Sequence, residues 1–176
     1  MIICVTGKIA TGKSTVSKFF VEKGFEYINV DELGHKAFEL NKETIKRTFG
    51  TDDRKEVGKI VFASEEKLRQ LEQIVHPTMM KLLDERIEKL KGKDIVIEAA
   101  IKRRLGIKNC DLTITVTASR EIIKERLKER YDEKTIEEIL KRQEDVVEEG
   151  IVIENNDGIE ELLGKLERVY EEYINR

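Results

Sequence analysis

The chain has 176 residues, with 33 lysine and arginine against 36 aspartate and glutamate and a formal net charge of -3. That length suits a single domain with one core, and the near balance of charge gives no reason to expect nucleic acid or an anionic membrane as the main partner, which directs attention to small molecules. No apolar run approaches the roughly 20 residues of a membrane span, and no signal-peptide pattern precedes the first apolar run, so a cytoplasmic protein is expected.

Two cysteines, Cys4 and Cys110, form no C-x-x-C pair and lie among strand-like or buried residues. They read as small core thiols, and their number is too low for a disulfide framework. Charged residues make up 39% of the chain beside a single proline and no tryptophan, a balance like that of ion-pair-rich proteins from heat-loving organisms.

In chain order, an apolar run at 2–6 leads into Gly7-Lys8-Ile9-Ala10-Thr11-Gly12-Lys13-Ser14, and a helical pattern follows over 13–23. Two glycines separated by four residues and followed by Lys and Ser, between a strand and a helix, form a phosphate-loop pattern in its required context. Gly7 and Gly12 let backbone amides turn inward around a polyphosphate, Lys13 can reach its β and γ oxygens, and the Ser14 hydroxyl can ligate magnesium. The N-terminus of the helix adds a positive partial charge. These features point to ATP with Mg2+.

The second strand is predicted at 25–30 and opens into N-V-D-E-L-G-H. In an open parallel sheet ligands bind at the carboxyl ends of the strands, so Asp31 can serve as a general base that takes a proton from an attacking hydroxyl; it can equally serve as the N-cap of the next helix. Asp31 to Gly34 spells D-x-x-G and Asn41-Lys42 opens a guanine-specificity box, but position 44 is Thr44 and Asn41 lies in a helical pattern, so a GTPase reading fails. Helices are predicted at 31–49 and 65–91, within about sixty residues that separate the second and third strands, far more than a crossover needs. This excess is expected to form a helical insertion over about 31–92, with Pro77 interrupting its long helix and His76 turned toward an extended backbone.

Further strands are predicted at 94–99, 112–117 and 150–154, and further helices at 120–129, 133–149 and 158–175. Strands alternating with helices imply an α/β protein on a parallel sheet. Arg126 and Arg130, four apart, share a helical face; they suit a lid that neutralises charge on a transferring phosphoryl group, or a solvated face. Asn155, Asn156 and Asp157 follow the fifth strand where a base could be contacted, in a segment that also reads as an ordinary turn.

Taken together, "TGKIATGKSTVSKFF", "GFEYINVDELGH", "DRKEVGKIVFASEEKLRQLEQIVHP", "CDLTITVTASREIIKERLKER" and "VIENNDGIEELLGKLERVYEEY" resemble, in that order, the dephospho-CoA kinases over nearly the whole chain. The resemblance implies a single phosphate-loop kinase domain over 1–176 with a three-layer P-loop NTPase fold. Its five-stranded parallel sheet would be flanked by helices, with the helical insertion on the acceptor side and a lid at about 119–149. It also implies ATP-dependent phosphorylation of the 3'-hydroxyl of the ribose of dephospho-CoA. By position, Ala10, Thr11, Gly12, Lys13, Ser14 and Thr15 would wrap the ATP phosphates, Asp31 would be the base, and Arg126 with Arg130 would belong to the lid. Arg54, His76 and Pro77 would form the acceptor side, although His76 also reads as a helix cap beside Pro77. The implied partners are ATP and dephospho-CoA, with no nucleic acid or membrane, and the implied state is a monomer or weak homo-oligomer.

The chain departs from the family in three places. It has Gly7-Lys8-Ile9-Ala10-Thr11-Gly12-Lys13-Ser14 where the family usually has G-G-I-G-S-G-K-S, and Asn29 stands at the first aspartate of a D-A-D stretch. The family's P-L-L-F-E is replaced by "EAAIKRRLGIKNCD". There Glu98 is expected on the substrate side, as a strand-end carboxylate near magnesium-bound water, and Lys102, Arg103 and Arg104 can meet acceptor phosphates or form surface charge.

Overall fold

A computed structural model describes residues 1–100 and 102–175. The strands β1 (Ile2–Thr6), β2 (Glu26–Asn29), β3 (Ile95–Glu98), β4 (Leu112–Thr117) and β5 (Ile151–Glu154) form a single parallel sheet in the order β2-β3-β1-β4-β5. The central strands are buried nearly throughout, β3 at every position and β1 from Ile3 to Thr6, as expected of a parallel sheet covered on both faces. Val5 pairs with Glu98, Thr6 with Thr115, and Thr117 with Glu154. This register sets the ends of β1, β3, β4 and β5 along one edge of the sheet, where a ligand site belongs.

Helix α1 (Lys13–Glu22) leaves that edge directly after β1. Its Val16, Phe19 and Phe20 join Ile3, Val5, Val96 and Ile114 in a core that Leu162, Leu166 and Val169 of the C-terminal helix complete. The helices at Arg120–Leu127 and Glu133–Arg142 have a small core of their own, Ile123, Leu127, Ile136 and Leu140. The chain divides into two compact units, Met1–Ile28 with Gly92–Arg176, and Asn29–Lys91. Among the described residues no helix is long and apolar enough to cross a membrane.

The second unit is helical: α2 (Val30–Leu40), α3 (Lys42–Phe49), α4 (Arg54–Phe62) and α5 (Glu65–Lys89). Buried Leu33, Ala37 and Phe38 of α2 and Val75, Met79 and Leu83 of α5 form the apolar faces of two helices in extensive mutual contact. Gly34 permits the close approach, since a Cβ there would stand 3.3 Å from the Met79 Cε.

Several predicted elements differ from those observed. The helix predicted at 31–49 is two helices, because the Asn41 side-chain amide donates to the Ala37 carbonyl at 2.7 Å and to Thr78 Oγ1 at 3.0 Å and so ends the first. Helix α4 has no counterpart among the predicted elements, although Asp53 caps it, accepting from the Glu56 N–H at 3.1 Å, an acidic variant of the capping-box spacing.

Helix α5 runs through Pro77 instead of stopping there. Proline costs a helix interior about 3 kcal/mol, but Val75, Met79 and Leu83 are buried on both sides of it, each worth roughly 1.5–3 kcal/mol. Gln73, whose carbonyl loses its partner to the proline ring, is an exposed residue. His76 is therefore helical, neither extended nor a cap.

Toward the C-terminus, α6 (Lys102–Leu105) is a short extra helix, α7 spans Arg120–Leu127, and α8 spans Glu133–Arg142, stopping well short of residue 149. Helix α9 (Ile159–Val169) continues as a π-helical turn over Tyr170–Ile174. The expectation of two core thiols is also corrected, since Cys4 and Cys110 form a disulfide with their Cα atoms 5.7 Å apart. Pairing of Ile3 with Leu112 draws the residues just before β4 alongside β1. Two cysteines cannot make a framework, but they suffice for one staple.

Candidate active site

Backbone geometry explains the glycines of the phosphate loop. Gly7 has φ 147° and Gly12 has φ 108°. A Cβ at Gly7 would fall 2.3 Å from the Val116 carbonyl oxygen, and one at Gly12 would fall 2.5 Å from Asn155 Nδ2. Ala10 is also left-handed, at φ 60°, a conformation that costs an L-residue roughly 1–2 kcal/mol. Gly12 sits at the N-cap of α1 without a side-chain bond, and the first turn holds no acidic residue. The positive end of the helix thus faces the loop without an acidic residue of its own first turn to neutralise it.

Braces from three parts of the chain hold the loop. Asn155, buried just after β5, donates from Nδ2 to the Thr11 carbonyl at 2.8 Å, and its own N–H donates to the Thr117 carbonyl at 2.7 Å. Arg126 in α7 donates to the Ala10 carbonyl at 2.8 Å and to the Asn155 carbonyl at 2.7 Å. Gln143, at the end of α8, accepts from the Ile9 N–H at 2.7 Å. Within the loop, Thr11 Oγ1 and Lys13 Nζ both donate to the Lys8 carbonyl at 2.9 Å. Ile9 and Ala10 also pack against the small core formed by the helices at Arg120–Leu127 and Glu133–Arg142.

At the carboxyl end of β3 the buried carboxylate of Glu98 accepts from Ser14 Oγ at 3.2 Å and from the Tyr27 hydroxyl at 2.9 Å. Among the described residues no group of three or more His, Cys, Asp or Glu is assembled to hold a metal. A serine hydroxyl beside one carboxylate is nevertheless the donor set that suits magnesium, which takes hard oxygens from one or two protein groups and the rest from phosphate and water. A cavity of about 360 Å³ opens on the other side of the loop, with the Arg126 guanidinium and Asn155 at one side and Ile159 and Leu162 supplying an apolar surface.

Electrostatics within α7 and α8 favour the helical state. Asp132 caps α8, accepting from the Thr135 N–H at 2.7 Å, and hydrogen bonds from Thr135 hold its carboxyl below the ordinary value. The Glu137 carboxyl is held low by the hydrogen bond from Lys124, with Arg120 adding its charge. Arg130 lies beyond the end of α7, so it does not share a helical face with Arg126; its guanidinium stacks 5.4 Å from the Tyr131 ring.

Of the basic residues after β3, Lys102 pairs with Glu149 at 3.0 Å, and Arg104 grips Asp145 through two nitrogens at 2.7 and 2.9 Å. They tie α6 to the segment after α8; the Arg103 side chain lies outside the described residues. In the helical unit, Asp31 is not the cap of α2. Asn29 holds that position and accepts from the Asp31 N–H at 2.9 Å. Arg54 opens α4 and is exposed, Pro77 is exposed, and the His76 Nε2 lies 3.9 Å from a Glu72 carboxylate oxygen. Gln143 and Tyr27 are the site residues that sequence reasoning missed, because each acts through a tertiary contact that leaves no local pattern.

A model of the dephospho-CoA kinase family matches residues 1–161. A dephospho-CoA kinase of Fusobacterium nucleatum is 37% identical over 97% of this chain and 97% of its own length. One from Aquifex aeolicus is 36% identical over 97% of this chain and 96% of its own. The crystal structure of TT1252 from Thermus thermophilus superposes with a TM-score of 0.77 at 28% identity, covering 98% of this chain and 97% of that one.

Proposed function

Because the chain belongs to the dephospho-CoA kinase family, we propose that it transfers the γ-phosphoryl group of ATP to the 3'-hydroxyl of the ribose of dephospho-CoA, giving coenzyme A and ADP. The observation that carries the reading is the braced phosphate loop at the strand ends, with Ser14 hydrogen-bonded to the buried Glu98.

In the transfer, the hydroxyl oxygen forms a bond to the γ phosphorus as the bond from that phosphorus to the ADP oxygen breaks. The hydroxyl proton passes to Asp31. The assignment follows the family's pattern of positions, which falls on Asp31 in the first turn of α2. Amides from Ala10 to Thr15 grip the phosphates, with Lys13 leaving the Lys8 carbonyl to meet their oxygens. The chemistry is positioning and charge neutralisation, as phosphoryl transfer requires.

Ser14 and Glu98 would hold Mg2+, which neutralises charge on the β and γ oxygens when bound. The cavity lined by Arg126, Ile159 and Leu162 offers apolar surface and a cation to the flat base of ATP. Arg54, His76 and Pro77 belong to the acceptor side, and Arg130 to the lid, on the family's pattern of positions. The enzyme so described works in the cytoplasm on two small-molecule substrates.

An acceptor panel with γ-labelled ATP tests the reading. Label is expected in coenzyme A when dephospho-CoA is offered, and not in a nucleoside or nucleoside monophosphate. Label moving to a nucleotide would make the chain a different small-molecule kinase, and binding of ATP without any transfer would make it a switch protein.

A further inference from the structure

We propose that Tyr27 is a positioning residue for the cation end of the phosphate site, holding Glu98 so that the carboxylate stays on the Ser14 hydroxyl. The inference rests on the kinase reading above and extends it to a residue that no motif singles out. On strand β2 Tyr27 is half-buried, with its ring packed against the core of the sheet and α1. β2 neighbours β3, whose last residue is Glu98. The Tyr27 hydroxyl donates to Glu98 Oε1 at 2.9 Å, while Ser14 Oγ donates to Oε2 at 3.2 Å. Each oxygen of the buried carboxylate therefore has its own donor.

This arrangement determines which way the serine hydroxyl points. A serine hydroxyl has one hydrogen and two lone pairs; while its hydrogen is given to Glu98, its lone pairs are left for a hard cation. A glutamate side chain has three torsions, and one that swings releases the serine hydrogen to turn toward the cation. A tyrosine has two torsions, and with its ring packed it presents a donor at a fixed place. Such outer partners orient the inner ligands, and their loss typically costs roughly 10–100-fold in metal affinity.

The test uses Mn2+ as a paramagnetic probe, its free concentration read by electron paramagnetic resonance in the presence of the full-length protein and ADP. Tyr27→Phe removes the hydroxyl and keeps the ring. Its Mn2+ dissociation constant is expected to rise about 10-fold, with ADP affinity in EDTA within about twofold of wild type. In a Glu98→Gln background, adding Tyr27→Phe is expected to have no further effect, since the two act as one unit. Unchanged Mn2+ binding in Tyr27→Phe, an equal loss of metal-free ADP affinity, multiplying effects in the double variant, or failure of Tyr27→Phe to fold would each overturn the proposal. If wild type with ADP binds no Mn2+, or Glu98→Gln binds it normally, the assignment of the cation to Ser14 and Glu98 is what falls.

Discussion

Reduction of the Cys4–Cys110 disulfide is expected to destabilise the protein far more than it disturbs activity. The two residues are 106 positions apart, and in the chain-entropy account a closed loop on the order of 100 residues is worth about 4.7 kcal/mol at 25 °C. Domains are stable by about 5–15 kcal/mol, so the staple is equivalent to about 30% or more of a typical domain's stability. With a urea slope of about 2 kcal/mol per molar, the unfolding midpoint should fall by about 2 M on reduction. The phosphate loop leaves the opposite end of β1 from the residues that precede β4, so nucleotide binding by the reduced, folded protein at 25 °C should hold. The assay is paired urea unfolding with and without reductant, together with thiol titration of the denatured chain. Two titratable thiols in protein purified without reductant, or coincident midpoints, would refute the reasoning.

Asp31→Asn is expected to lower turnover on dephospho-CoA by about 10² or more while ATP affinity, by equilibrium titration, stays within a few-fold. Gly7→Ala should destabilise by about 2 kcal/mol or more through backbone strain and the clash with Val116, read as a lowered midpoint in chemical unfolding. The lowered Asp132 pKa makes its cap a contribution present above the unfolded value near pH 3.9 and lost as pH falls through the folded value. Hydrogen-exchange protection of the Thr135 amide should accordingly be level down to about pH 4 and fall below it, and Asp132→Asn, which still caps, should flatten that response.

Sequence periodicity located the sheet well, since each strand falls within a residue or two of its predicted span, and the phosphate loop was legible because its glycines answer to local backbone demands. What escaped was set by distance. Pro77 carries a local stop signal, yet burial on both sides overrides it. The cysteines meet only because β1 and β4 pair. Asn155 was singled out as a base contact or a turn residue, but its amide bonds to the Thr11 carbonyl, a role that nothing near it in the chain announces. Gln143 and Tyr27 gave no signal at all, because a lone polar side chain acquires its meaning from where the fold delivers it.

The loop is shaped from behind, by an asparagine, an arginine and a glutamine that bind its backbone and not its side chains. Form and identity are thereby uncoupled, and positions 8 and 10 can carry lysine and alanine where the resembling stretch usually has glycine. The same uncoupling suggests a route for re-engineering: side chains at the rim of this cradle can be exchanged for new contacts, provided that the three struts behind it are left standing.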